Sequence, residues 1–172
     1  MKTKIIPNGC HMAINDFTYP RKGGLKKTIT FTPSCRYDVG VEQLDWNKLC
    51  GMSFGFFPLI KQWQMHENSA RFGWRYNPAT DYIEVSPYLY DKGVRKYAEI
   101  LGIPFASLAI GIPYEFYILP WEDGCSYVIL DGEAPVYNQK IIQYVPSEWG
   151  FNAPVYFGGT SVCPHTIFIH EE

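Results

Sequence analysis

A chain of 172 residues, 47% hydrophobic and 19% charged, is long enough for one domain with a sizeable core, short for two, and too apolar to be disordered. Its formal net charge is −2 and its pI about 6.1, with no basic tract, which excludes the electrostatic footprint of a nucleic-acid binder. Lys26-Lys27 and Arg95-Lys96 read as ordinary solvated pairs.

The first predicted element is a strand near Lys2–Ile6. Its apolar run stops at Pro7, well short of the roughly 7–15 apolar residues of a signal peptide, so Sec-type export is not expected. A second short strand is expected near His11–Ile14. Leu25 to Thr32 alternates, with Ile29 and Phe31 on one side and Thr28, Thr30 and Thr32 on the other. Val41 to Leu49 is the one stretch that could turn helically, and Gly51–Phe57 follows as a strand. Residues 1–44 are taken as N-terminal strands or an arm within the same domain, and residues 45–172 as a β-sandwich domain.

The strongest pattern lies in the middle of the chain. From Ser69 to Tyr76, Ala70, Phe72, Trp74 and Tyr76 share one face, and Ser69, Arg71, Gly73 and Arg75 the other. From Tyr82 to Tyr90, Ile83, Val85, Pro87 and Leu89 oppose Tyr82, Glu84, Ser86, Tyr88 and Tyr90. Asn77-Pro78-Ala79-Thr80-Asp81 and Asp91-Lys92-Gly93 are turns, and Val94 to Ile100 reads as the next strand, which predicts an antiparallel meander over Ser69–Ile100. Pro87 inside a strand predicts an edge or a bulge. Further strands are expected near Ala106–Ile110, Glu115–Leu119, Ser126–Leu130, Val136–Tyr144, Pro154–Phe157 and His165–His170. The apolar run Ile103–Leu119 is broken by Pro104, Gly111, Pro113 and Glu115 and falls short of the roughly 20 residues that span a bilayer, so no membrane partner is expected. This many short strands with 13 prolines predict an all-β fold, a two-sheet antiparallel sandwich of jelly-roll or concanavalin type.

No GxSxG, HExxH, phosphate loop or GxGxxG motif is present. The five cysteines, Cys10, Cys35, Cys50, Cys125 and Cys163, contain no CxxC pair and read as small buried hydrophobes, so neither a metal nor a cofactor is expected. His66 and His165 with a carboxylate are the one alternative metal set, and Glu84 with Glu99 the one candidate acid/base pair. The row Arg71, Arg75, Glu84, Tyr88, Tyr90 and Tyr97 comes from three adjacent predicted strands and points to one side. It is either a binding platform or a face of cross-strand Arg–Glu pairs. Trp63, His66 and Asn68 complete the candidate binding set, Trp63 as a loop aromatic able to stack on a sugar ring or a protein.

Four phrases point to a family. They are Asp45-Trp46-Asn47-Lys48-Leu49, the run His66 to Arg75, Ile83-Glu84 leading to Tyr88-Leu89-Tyr90-Asp91-Lys92-Gly93, and Tyr156-Phe157-Gly158-Gly159 followed by Pro164-His165. In these the chain resembles small proteins of Bacteroidetes bacteria and crAss-like phages, with a concanavalin- or laminin-G-like sandwich, from about Asp45 onward. Relatives often carry Ala-Pro-His-Asp near the end, where this chain has Cys163-Pro164-His165-Thr166 without the acid. The resemblance implies a non-enzymatic virion structural protein that decorates a capsid or belongs to a head fibre or tail. Such a protein is made in host cytoplasm and partners other virion proteins and copies of itself. The alternative is a lectin-like carbohydrate-binding module for host surface glycan.

Overall fold

The computed structural model describes residues 1–54 and 65–172. The strands are β1 (Lys2–Ile6), β2 (Pro20–Lys22), β3 (Leu25–Phe31), β4 (Asn47–Phe54), β5 (Ser69–Asn77), β6 (Tyr82–Asp91), β7 (Val94–Tyr97), β8 (Ala106–Leu108), β9 (Pro113–Trp121), β10 (Gly124–Asp131), β11 (Ala134–Ile142), β12 (Trp149–Ala153) and β13 (Ile167–Glu171), with one helical turn, α1 (Ala98–Leu101). They form two antiparallel sheets. The first runs β1-β13-β3-β9-β10-β11, and the second runs β2-β12-β4-β5-β6-β7, with β8 also on β6. The all-β sandwich expected from the sequence is the observed fold. Among the described residues no helix is long and apolar enough to cross a membrane.

Alternation explains the layering. Ala70, Phe72 and Trp74 of β5 and Ile83, Val85 and Leu89 of β6 are fully buried between the sheets. Opposite them the first sheet contributes Phe31, Phe116, Ile118, Tyr127 and Ile129. The layers meet through aromatic rings at edge-on angles: Phe72 lies 5.1 Å from Phe116 and 5.4 Å from Tyr127. Trp74 takes Phe31 at 5.5 Å and the edge of Tyr37 at 5.8 Å.

Residues 1–44 supply β1 and β3 to the first sheet and β2 to the edge of the second. The pair Lys26-Lys27 splits by parity. Lys26 points outward, whereas Lys27 shares the inward face of Leu25 and Ile29 and is buried. Lys27 bonds Glu171 at 2.7 Å, and the equally buried Lys4 bonds Asp16 at 2.6 Å, so two inward ammonium groups are each met by a carboxylate.

The structure departs from expectation in four places. Val94 to Ile100 is a strand only to Tyr97. The Ser86 hydroxyl then accepts the Ala98 N–H at 3.0 Å and α1 turns away, closed by Gly102 at φ 64°. Val41–Leu49 holds only a 3-10 turn at Gly40–Glu42 before Asn47 pairs with Trp74. His11–Ile14 and Pro154–Phe157 reduce to isolated bridges, Met12 to Tyr156 and Tyr156 to Lys48, and Trp149–Ala153 forms the strand instead. Pro87 sits where the outer neighbour of β6 changes, between the stretch paired with β8 (Ile83–Val85) and the stretch paired with β7 (Tyr88–Asp91), so its missing N–H interrupts no ladder there.

Truncating the ring that joins the two layers tests this core. Phe72→Ala is expected to cost about 3–5 kcal/mol of unfolding free energy, read from the urea midpoint at unchanged m-value.

Candidate functional site

The face of the second sheet turned away from the core carries the polar positions of β4 to β7. The register sets Gly51, Arg71, Tyr88 and Tyr97 in one row across four strands, Tyr90 beside Arg95, and Arg75 beside Glu84. Glycine makes this row possible. A Cβ on Gly51 would lie 2.5 Å from Cα and Cγ of Arg71, and one on Gly73 would meet Tyr88 at 3.2 Å and Trp46 at 3.3 Å. Two missing side chains let an arginine, a tyrosine and a tryptophan lie flat on the sheet.

The result is a groove of two adjoining depressions that share Lys48, Tyr88, Arg95 and Gly159. The larger, about 650 Å³, is walled by Lys48, His66, Arg71, Tyr90, Arg95 and Tyr156 among others, and no carboxylate lines it among the described residues. Arg71 is 4% exposed. Its Nη2 donates to the Met65 carbonyl at 3.0 Å, its guanidinium lies over Tyr88 (5.7 Å) and Tyr90 (6.0 Å), and its Nε has no hydrogen-bond partner among the described residues. Lys48 donates to the Gly158 carbonyl at 2.9 Å and stands over the rings of Tyr88 (5.0 Å) and Tyr156 (5.3 Å).

The smaller depression, about 320 Å³, is lined by Asp45, Trp46, Arg75, Tyr97 and Glu99. Arg75 donates to Glu84 at 2.6 Å and meets Glu99 at 2.9 Å, with its guanidinium stacked 4.2 Å over Trp46. Glu99 also accepts the Trp46 indole N–H at 2.9 Å. Arg75 therefore stands between Glu84 and Glu99, the two carboxylates considered as an acid/base pair, and neutralises them as a structural clamp.

Protonation follows from this packing. Burial, and then Arg71 and Arg95, bring Lys48 down to about 8 from 10.5. Burial, and then Arg71 and Lys48, lower His66, which favours its neutral form. Burial raises Tyr88 to about 12, against the pull of Arg71 and Arg95, so it keeps its proton at neutral pH.

Of the sequence-derived set, Arg71, Tyr88, Tyr90, Tyr97 and Arg75 line the groove, Glu84 backs Arg75, and His66 stacks on Tyr90 at 4.9 Å. Asn68 instead holds the β6–β7 turn, its Oδ1 accepting the Lys92 N–H at 3.0 Å. Trp63 lies outside the described residues. His165 donates to the Ser34 carbonyl at 2.8 Å, away from His66, and the described residues contain no cluster of three metal-ligating side chains. Sequence reasoning missed Lys48, Arg95, Trp46 and Tyr156. Arg95 is exposed, as expected, but does not pair with its neighbour Lys96 on one face. It stands two residues before Tyr97, hence on the same face, and lies 5.4 Å from that ring, while Lys96 turns to Asp91 at 2.7 Å.

No family model and no curated protein matches the chain. Solved structures do. An alginate lyase crystallised with an alginate trisaccharide superposes with a TM-score of 0.56 at 14% identity, covering 99% of this chain and 78% of the lyase. An alginate lyase from Klebsiella pneumoniae gives 0.59 at 13% identity over 88% of this chain, which spans 59% of that enzyme. A Saccharomyces cerevisiae protein of unknown function gives 0.52 at 5% identity, covering 92% of this chain and 72% of that protein. At these identities the likeness is one of fold. The sandwich of this chain is a scaffold that polysaccharide lyases also use.

Lys48 titrates lower in the folded chain than in the unfolded one. Its charged form is therefore disfavoured by folding at every pH below about 8, and that penalty fades as pH rises from about 8 to 10.5. Lys48→Met is expected to raise stability at pH 7 by about 1–3 kcal/mol, an advantage that shrinks toward pH 10, measured by urea denaturation of both proteins across that range.

Proposed function

We propose that the groove of the second sheet binds an acidic polysaccharide, with the carboxylate of a uronate seated against Arg71, Lys48 and Arg95. The observation that carries this reading is Arg71, a buried guanidinium with no carboxylate partner among the described residues, in a depression whose charged lining is cationic although the whole chain carries −2. A buried cation without a counterion is costly, and a bound carboxylate removes that cost while accepting charge-assisted hydrogen bonds. The half-buried Tyr90, Tyr97 and Tyr156 add rings against which the apolar side of a sugar can pack. Two solved structures that share the fold are alginate lyases, one of them holding an alginate trisaccharide, which supports the same ligand class. The virion role expected from the sequence rests on the family resemblance alone.

A second reading, cleavage of that polymer by β-elimination, is favoured by the pairing of Lys48 and Tyr88. A neutral Lys48 amine would take the proton α to the uronate carboxyl. The electrons left behind form the C4–C5 double bond as the C4–O4 bond breaks, and the leaving oxygen takes a proton from Tyr88. Arg71 would neutralise the carboxylate and so acidify the proton. A base near 8 and an acid near 12 suit those assignments.

Calorimetric titration with oligoalginate and oligogalacturonate tests the binding. Affinity is expected to fall about tenfold or more in Arg71→Met and to weaken as salt rises, because a buried charge-assisted contact is lost. Unchanged affinity in that variant, or no binding to either oligomer, sinks the proposal. Ultraviolet absorbance of the unsaturated uronate product separates the readings: signal from wild type that vanishes in Lys48→Met marks a lyase, and binding without signal marks a binding module.

A further inference from the structure

The two depressions differ in charge, and the geometry points to a ligand of mixed charge, a glycan in which an acidic sugar is followed by an uncharged one. This rests on the acidic-polysaccharide reading and says which polymers within that class the groove selects.

The larger depression presents Arg71 and His66, with Lys48 and Arg95 on the boundary, and no carboxylate among the described residues. Across that boundary carboxylates enter the lining. Beyond the shared Lys48 and Arg95, the one further cation there among the described residues is Arg75, which is in contact with Glu84 behind it and Glu99, and Asp45 stands on the wall. Glu84 is buried behind Arg75, whereas Glu99 keeps 45% of its side chain exposed. Arg75 is already held on Nε by Glu84, on Nη1 by Glu99 and the Leu44 carbonyl, and on its face by Trp46, so it has little left to offer a second ligand carboxylate. A uronate placed there faces Glu99 and Asp45, and like-charge juxtaposition rejects it. What remains attractive in the smaller depression is the half-buried ring of Tyr97 and the acceptor oxygens of Glu99 and Asp45. Those groups suit a neutral sugar that stacks and donates hydroxyl or amide hydrogen bonds.

The continuity of the groove makes this one site rather than two. Tyr88 floors both halves and stacks on Tyr97 at 6.2 Å with the rings 12° from parallel, so a chain lying across Tyr88 enters both. A homopolymer of uronates fills the cationic half well and the other badly. A polymer alternating uronate with a neutral hexose or N-acetylhexosamine satisfies both.

The test is a comparison of two probes on the full chain by calorimetry, a hexamer of α-1,4-galacturonate and a hyaluronan hexasaccharide of alternating glucuronate and N-acetylglucosamine. The alternating probe is expected to bind about three- to tenfold tighter, the range of one or two partly screened like-charge contacts. Asp45→Asn and Glu99→Gln are each expected to raise affinity for the galacturonate hexamer and not for the alternating probe, so that the ratio between the two falls. Asp45→Asn keeps shape and removes the charge of a side chain that makes no hydrogen bond with the described residues, so it reads out charge even if Glu99→Gln loosens Trp46. Equal or tighter binding of the homopolymer, with a ratio unmoved by Asp45→Asn, overturns the inference and leaves acidic-glycan binding standing. Binding of neither probe overturns both.

Discussion

The register between β5 and β6 is the constraint on which the rest depends. Nine consecutive pairs, from Ser69 opposite Tyr90 to Asn77 opposite Tyr82, fix which side chains face inward. A slip of one residue would put Arg71 and Arg75 against Phe116 and Tyr127 and turn Phe72 and Trp74 to the groove, an exchange no sandwich tolerates. Burial of four large apolar side chains therefore dictates where two guanidinium groups lie. The chemistry of the outer face is a by-product of core packing, in the sense that the same alternation produces both.

Given that placement, the two arginines have opposite fates. Arg75 finds Glu84 directly across the ladder and Glu99 from α1, and becomes a closed ionic unit. Arg71 has Tyr88 in the corresponding cross-strand position, so its charge is solvated by ring faces and one carbonyl. One arginine stabilises the fold and its neighbour four residues away is left to meet a ligand. The choice between Glu84 and Tyr88, both on β6, decides which is which.

Much of this was legible in the sequence because period-2 alternation is undisturbed in β5 and β6, and it carried Arg71, Arg75, Glu84, Tyr88 and Tyr90 together. It failed where a local irregularity broke the period. Lys48 precedes a bulge between Lys48 and Cys50, which turns both Leu49 and Cys50 inward and hides the start of β4. β2 is three residues long, too short for any period to show. A charge beside a charge hides its role for another reason: the parity of Tyr97 puts the exposed Arg95 at the groove, and that of Leu25 and Ile29 buries Lys27 in the core. Trp46 reached the groove only through its tertiary contacts with Arg75 and Glu99, which no local pattern encodes.

The position of β13 has a consequence for synthesis. This strand lies between β1 and β3 in the first sheet, pairing Lys2 with Glu171 on one side and Phe31 with Ile169 on the other. While the chain emerges from a ribosome, β1 and β3 are made early and wait without their shared neighbour through the translation of everything between. Glu171, which also neutralises the inward Lys27, arrives with that strand. The second sheet, whose central hairpins are close in sequence, can pair as it emerges, whereas the first closes only when residues 167–171 are present. Closure of the first sheet thus waits for its last strand, just as β2 of the second waits for β12.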